Sequence, residues 1–248
     1  MTTAEGWTTA VRDRLAPGRL LPLGAPEDGA WITERAARTV LDRAASAVRG
    51  VVPGRLRVGP DPDADSEAAP GGDSDAAPGG EHAAGTATTP EELPVPPGGL
   101  PPGPLRITAD FAVVTGRPLP EVAEELRSAL LGAATDGLGL SVAHVDLRVT
   151  ELLDAAPPPA GPAAPPPGRT SPATDDPVAL AVLRVEGVAG VTDALGHPVH
   201  RRPDGSVRIE LAVTAGRRPL DVARAARNAA TAAAGGATAV TVLVSELR

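Results

Sequence analysis

The chain has 248 residues, with 31 acids against 23 basic residues, all of them arginine, and a formal net charge of −8; it contains no cysteine and no tyrosine. Without lysine or cysteine, Walker-type phosphate loops, Schiff bases, thiol nucleophiles, disulfides and cysteine–zinc sites are excluded. Nine of the acids fall in residues 60–104, which hold no arginine, so the remainder carries 22 acids against 23 arginines and is near neutral, which argues against a dedicated nucleic-acid surface.

Proline sets the domain organisation. Of 29 prolines, 20 lie in residues 60–104 and 154–177, stretches too rich in Pro, Gly and Ala to form helix or strand. The expected division is an N-terminal docking segment (1–30), a first unit (31–153) interrupted by a disordered acidic insert (60–104), a Pro-rich linker (154–177) and a second unit (178–248). Units of about 70–80 residues bury only about 60–65% of their unfolded surface, so each core is marginal and gains from a partner face.

At the amino terminus no basic start precedes an apolar run, and no stretch reaches about 18 apolar residues, so neither a signal peptide nor a membrane span is expected. The expected location is cytoplasmic, with any membrane contact peripheral and made through a partner. Trp7, Val11 and Leu15, four apart, suit a short amphipathic turn that shields the first unit.

In the first unit, Thr33 can cap a helix whose apolar positions Ala37, Val40, Leu41, Ala44 and Val48 follow helical spacing as far as Gly50. A strand over 51–58 precedes the insert. The chain resumes as a strand in which Ile107, Ala109, Phe111 and Val113 alternate with more polar residues. After Gly116 a helix with Pro120 in its first turn has the apolar stripe Leu119, Val122, Leu126, Leu130 and Ala133. A turn through Gly137 and Gly139 leads to a last strand with Val145, Leu147 and Val149 on one face.

The second unit repeats this order. Asp176 can cap and Pro177 open a helix over 177–185, although the Val/Leu content of that run also suits a strand, and a hairpin closed by Asp204 and Gly205 feeds a strand at 207. Gly216 breaks the chain, a helix runs over 220–233, and AVTVLVSEL is the last strand. GRPLPEVAEELRSALLGAA at 116–134 and GRRPLDVARAARNAATAAA at 216–234 are offset by 100, and VDLRVTEL at 145 and VTVLVSEL at 240 by 95, so the second unit has lost five residues from the turn between helix and strand. The predicted fold class is α/β (α+β): two small repeated units, each a short, mostly antiparallel or mixed sheet backed by two helices. Leu126 and Leu130 face Ala226 and Ala230 in the alignment, so the second unit is expected to be less stable unless its alanine face is covered, with self-association as one way to cover it.

A helix ending in V-x-G-V (VRGV at 48, VEGV at 185), a strand, a glycine, a helix of I/L-x-x-V-A type and a final V-x-V-x-x-L strand resemble the alkaline shock protein, or Gls-type, envelope stress response family of Gram-positive bacteria. The second unit is similar to the short actinobacterial members. The resemblance implies a small α/β domain without catalytic residues or cofactor, a tandem repeat here, held near the membrane through a membrane-embedded protein partner. Two departures stand out: Thr115 and Ala215 occupy a position often aromatic in that family, and the acidic insert is atypical.

Candidate chemistry is sparse. His197 and His200 with Asp204 have the wrong spacing and neighbours, Arg201 and Arg202, for a metal site, and read as a solvated turn. His144 reads as a sheet-edge residue, and His82 lies in the insert. No G-x-S-x-G occurs. Glu151 and Glu246, in a shared T/S-E-L context, read as a repeated structural feature paired with an arginine, and Gly235 and Gly236 as a helix stop. Arg117, Arg217 and Arg218 precede the second helix of each unit, where a helix amino terminus favours a small anion or an acidic partner segment, the acidic insert being an internal competitor. No catalytic, cofactor or metal residue is assigned. The expected function is a non-enzymatic scaffold or adaptor in envelope stress or envelope homeostasis. The alternative is a small α/β RNA-binding module, disfavoured by one Phe, two Trp and no Tyr for base stacking.

Overall fold

The computed structural model describes residues 18–63, 93–155 and 172–248. Trp7, Val11 and Leu15 of the expected docking segment, His82, most of the insert and most of the linker lie outside the described residues. Among the described residues the fold is mixed α+β, with nine strands in two mixed sheets and four helices.

In chain order these are β1 (Leu20–Leu23), β2 (Ala30–Thr33), α1 (Glu34–Ala47), β3 (Val51–Pro60), β4 (Leu105–Val114), α2 (Leu119–Gly132), β5 (Val142–Leu153), α3 (Pro177–Val182), β6 (Val188–Val191), β7 (Val199–Arg201), β8 (Val207–Val213), α4 (Pro219–Ala233) and β9 (Val240–Leu247). One sheet has the order β3-β4-β5; the other has β1-β2-β9-β8-β6, with β7 also on β8.

The local signals act as their chemistry requires. The Thr33 hydroxyl accepts from the Ala36 N–H at 3.3 Å, and Asp176 accepts from the N–H groups of Val178 and Ala179 ahead of Pro177. α1 ends at Ala47, earlier than Gly50, and α3 ends at Val182 instead of 185. Leu119, expected in the apolar stripe of α2, is exposed, whereas Val122, Leu126 and Leu130 are buried. A first-turn residue projects beyond the sheet that the rest of the stripe covers.

Helices α2 and α4 each connect a parallel pair, β4 with β5 and β8 with β9, and each pair carries an antiparallel neighbour on its other side, β3 and β6 respectively. The same irregularity occurs in both pairs. Thr150 is skipped between Val149 and Glu151 opposite Phe111 and Ala112, and Ser245 between Val244 and Glu246 opposite Leu211 and Ala212. The skipped hydroxyl donates to a strand carbonyl each time, Thr150 to Phe111 at 3.2 Å and Ser245 to Leu211 at 3.4 Å. The shared T/S-E-L context is thus a bulge whose hydroxyl serves a carbonyl across the ladder.

In space the stretches that sequence divides are joined. β2 pairs in parallel with β9, Trp31 opposite Leu243, so residues 20–33 extend the second unit's sheet and α1 follows directly from them. The segment up to residue 30, expected to shield the first unit, therefore contributes β1 to the other sheet. One continuous hydrophobic core runs from Leu21 and Ile32 through Phe111 and Leu126 to Ala226 and Val244.

The ends of the insert are also placed, contrary to the expectation of disorder across 60–104. β3 runs to Pro60, and the Asp61 N–H donates to the Pro104 carbonyl at 3.0 Å. On the other flank the Leu20 N–H donates to Gly98, Leu100 N–H donates to Leu20, and the Trp31 indole donates to Leu100 at 3.1 Å. Composition gives no sign of these bonds because each partner is remote in sequence.

The expected turn through Gly137 and Gly139 is a continuation of α2, a π-helical turn over Ala133–Leu138 stopped at Gly139, whose φ is +92°. These are residues the second unit lacks. They sit against α4: the Gly24 N–H donates to Gly139 at 2.8 Å, and a Cβ on Gly139 would lie 2.7 Å from Leu220 Cδ2. The alanine face of α4 is accordingly covered within the chain. Ala223, Ala226 and Ala230 are fully buried, and α4 packs against α3, β2, β9 and the π-helical turn.

Candidate functional site

The three arginines singled out from sequence are each tied to an acid within the chain. Arg117 pairs with Glu125 at 2.8 Å and donates to the Arg49 carbonyl at 3.2 Å. Arg217 pairs with the exposed Glu186, the residue aligned with Arg49. Arg218 pairs with Asp221 at 3.1 Å and donates to the Thr135 carbonyl at 3.0 Å, bridging α4 to the π-helical turn; its Nε has no hydrogen-bond partner. Arg117 and Arg217 lie at the starts of helices on different sheets, so the structure does not bring the three together as one anion site.

The loop over residues 192–198 separates β6 from β7 where β3 has only the irregularity between Pro53 and Leu56. Glu210 in β8, 1% exposed, holds this loop down. It accepts from the Thr192 hydroxyl at 2.7 Å and from the N–H groups of Ala194 and Leu195, both at 2.9 Å. Thr192 and Ser245 share a hydrogen bond at 2.5 Å, and the Thr33 hydroxyl donates to the Ser245 carbonyl at 2.9 Å. Burial pushes the Glu210 carboxyl above its usual range, although the hydroxyl and the two N–H groups pull the other way. An acid beside two hydroxyls has the elements of a nucleophilic site, but Thr192, Ser245 and Glu210 are all buried and no imidazole among the described residues bonds to them. Their arrangement fixes a loop on a sheet.

His197 and Asp193, at the outer side of that loop, line an open concavity of about 650 Å³ with Asp176. Asp176 is held by Arg201, whose hydrogen bond lowers its pKa, and Asp204 accepts from the Ser206 N–H to close the hairpin. Among the described residues no group of three His, Asp or Glu side chains could hold a metal ion.

His144 is at a sheet edge, as expected, but not alone. Its Nδ1 lies 2.5 Å from Asp61, which also accepts from Arg106 at 2.9 Å; Arg106 further binds Asp63, and Asp146 at 3.2 Å. The His144 hydrogen bond, with those of Asp63 N–H and Arg106, holds the Asp61 carboxyl below its usual range despite burial. Assigning Asp61 to the insert hid this cluster, and no local pattern could have revealed it.

The least satisfied feature is the edge of β5. Val145, Leu147 and Val149 share the helix-facing side, as expected, being in register with Ile107, Ala109 and Phe111, yet only Val145 is buried; Val149 is 41% and Leu152 57% exposed. The reason is position: β5 pairs only with β4 among the described residues, so one flank of each side chain is open. The other outer strands are blunted. β3 carries Pro53, Pro60 and an irregular register, β1 contains Pro22 and is flanked by Gly98–Leu100, and β6 and β7 are four and three residues long. β5 extends for 12 residues without a proline or a glycine. Of the pair first read as equivalent, Glu246 binds Arg248 at 2.8 Å, while Glu151 stands exposed on this edge.

No helix among the described residues is long and apolar enough to cross a membrane. Models of known protein families, curated proteins and solved structures all return no match to this chain.

Proposed function

We propose that this chain is a non-catalytic scaffold or adaptor that works through protein–protein contact at the open edge of β5. The observation that carries the reading is that edge: a 12-residue strand whose outer flank meets no other strand among the described residues, with Val149 and Leu152 exposed, in a fold whose other outer strands are blunted. Such an edge is a template for strand addition, in which main-chain hydrogen bonds supply affinity and alternate side chains supply specificity. The internal pairing of Arg117, Arg217, Arg218, Glu210 and Asp61 supports contact rather than chemistry as the role.

The setting follows from the repeated V-x-G-V helices and V-x-V-x-x-L strands, which resemble the Gls-type family. It is cell-envelope stress or homeostasis at the cytoplasmic side, with peripheral attachment through a membrane-embedded partner. Immobilised full-length chain is expected to recover one membrane protein from native membranes and to lose it in the Val149→Asp, Leu152→Asp variant. Equal recovery by both, or none by either, rejects the reading.

A further inference from the structure

Resting on the protein-contact role of β5, we infer that its occupant is a second copy of this chain, the resulting pair being what a membrane partner meets, with the copies joined β5 to β5, antiparallel, about a two-fold axis through Leu147. A two-fold perpendicular to the sheet keeps the helix-facing sides of both copies together, so each residue opposes one on its own face. On the helix side Leu147 then meets itself and Val145 meets the partner's Val149, covering a side chain that is 41% exposed in one copy. On the other side Asp146 meets the partner's Arg148, twice by symmetry, and His144 meets Thr150. Opposite charges and apolar residues facing each other are the stabilising cross-strand pairs.

The neighbouring registers are worse. An axis through Asp146 sets that carboxylate against itself and His144 against Arg148, and an axis through Arg148 sets two guanidinium groups face to face. Like charges directly opposite are destabilising, so charge selects the register. Within one chain Asp146 is held from one side only, by Arg106 at 3.2 Å, with its side chain 53% exposed, and Arg148 forms no ion pair among the described residues. The product is a continuous sheet, β3-β4-β5 joined to its symmetry mate, whose two outer strands are the proline-bearing β3 of each copy. Pairing therefore closes the assembly at two copies.

The absence of native cysteine allows a direct test on the full chain. Opposed Cα atoms in an antiparallel pair are about 4.5–5.5 Å apart, within disulfide reach. Leu147→Cys alone is expected to form a covalent dimer under mild oxidation. Val145→Cys and Val149→Cys are expected to cross-link when mixed and not singly. In sedimentation velocity the wild type should be dimeric, Arg148→Asp should weaken dimerisation by about ten-fold or more, and Asp146→Arg with Arg148→Asp should restore it. A monomeric wild type, a dimer indifferent to Arg148→Asp, or cross-linking of Val145→Cys alone overturns the inference. Recovery of a membrane partner by a monomeric wild type, lost in Val149→Asp, Leu152→Asp, would overturn it while leaving the adaptor reading in place.

Discussion

Arg224 donates from Nε and Nη2 to the two carboxylate oxygens of Asp28, at 2.7 and 2.8 Å, across 196 positions of sequence. Asp28 also accepts from the Ala25 N–H at 2.8 Å, and Arg227, one turn along α4, donates to the Glu27 carbonyl at 2.6 Å. This bidentate clasp fixes the turn between β1 and β2 on α4 and so sets β2 beside β9.

Burial by itself would raise the Asp28 pKa, but the hydrogen bonds from Arg224 and Ala25 outweigh it, and the carboxyl lies below its usual range. A lowered carboxylate pKa contributes stability that is present above the unfolded value and is lost as pH falls through the folded one. Asp28→Asn should therefore cost about 1–2 kcal/mol at neutral pH, discounted because Arg224 is half exposed, and less as the pH is lowered below the usual aspartate range. Denaturant melts across that range give the difference, and a constant one would separate Asp28 from the acid response.

Glu210 has the opposite sign. Its folded pKa is raised, so the protonated form stabilises the fold below the unfolded value, about 4.3, and that contribution falls away as pH rises through the folded value. Relative to Glu210→Gln, the wild type should lose stability as the pH rises above the unfolded value of about 4.3. Glu210→Ala, which removes the acceptor of the Ala194 and Leu195 N–H groups and leaves the buried Thr192 hydroxyl with Ser245 alone, should cost about 3 kcal/mol. A wild type that gains on the glutamine variant with rising pH would show that the three donors outweigh burial.

Gly139 and Leu220 couple the π-helical turn to α4. A side chain at Gly139 is strained at φ +92° and collides with Leu220, so Gly139→Ala should cost at least about 2 kcal/mol. In a double-mutant cycle, adding Leu220→Gly, which removes the Leu220 Cβ that the new methyl meets first, should relieve the collision while leaving the backbone strain, giving a non-additive coupling of about 1 kcal/mol. Strict additivity in thermal melts would mean that the two sides do not touch in solution.

The small residues of α4 can be tested by filling them. Leu126→Ala should create a cavity costing about 2–5 kcal/mol, and Ala226→Leu should also destabilise, by about 1–3 kcal/mol, because the close approach of the elements around α4 leaves Ala226 no free surface. Residues 174–248 alone lack β1, β2 and the π-helical turn and should unfold well below the whole chain. If that fragment melts as high and as cooperatively while monomeric, the cover described for α4 is energetically idle.

Periodicity, caps and turn residues are local, and what depended on them was legible: Thr33 and Asp176 as caps, the alternation Ile107, Ala109, Phe111, Val113, the hairpin at Asp204 and Gly205, and the helix–strand order of both halves. The T/S-E-L likeness was visible, although its cause, a bulge with its hydroxyl on the opposite strand, was not. Tertiary structure alone decided which helix residues stay dry, why Val149 is exposed while Val145 is buried, that Asp61 meets His144, and that residues 20–33 belong to the sheet of β9. Pairing partners and edge positions are set by which remote segments meet, and burial depends on that meeting as much as on side-chain type. Alanine at 226 and 230 read as a weak core in sequence; with α3, β2 and the π-helical turn around α4, it is what lets those elements approach.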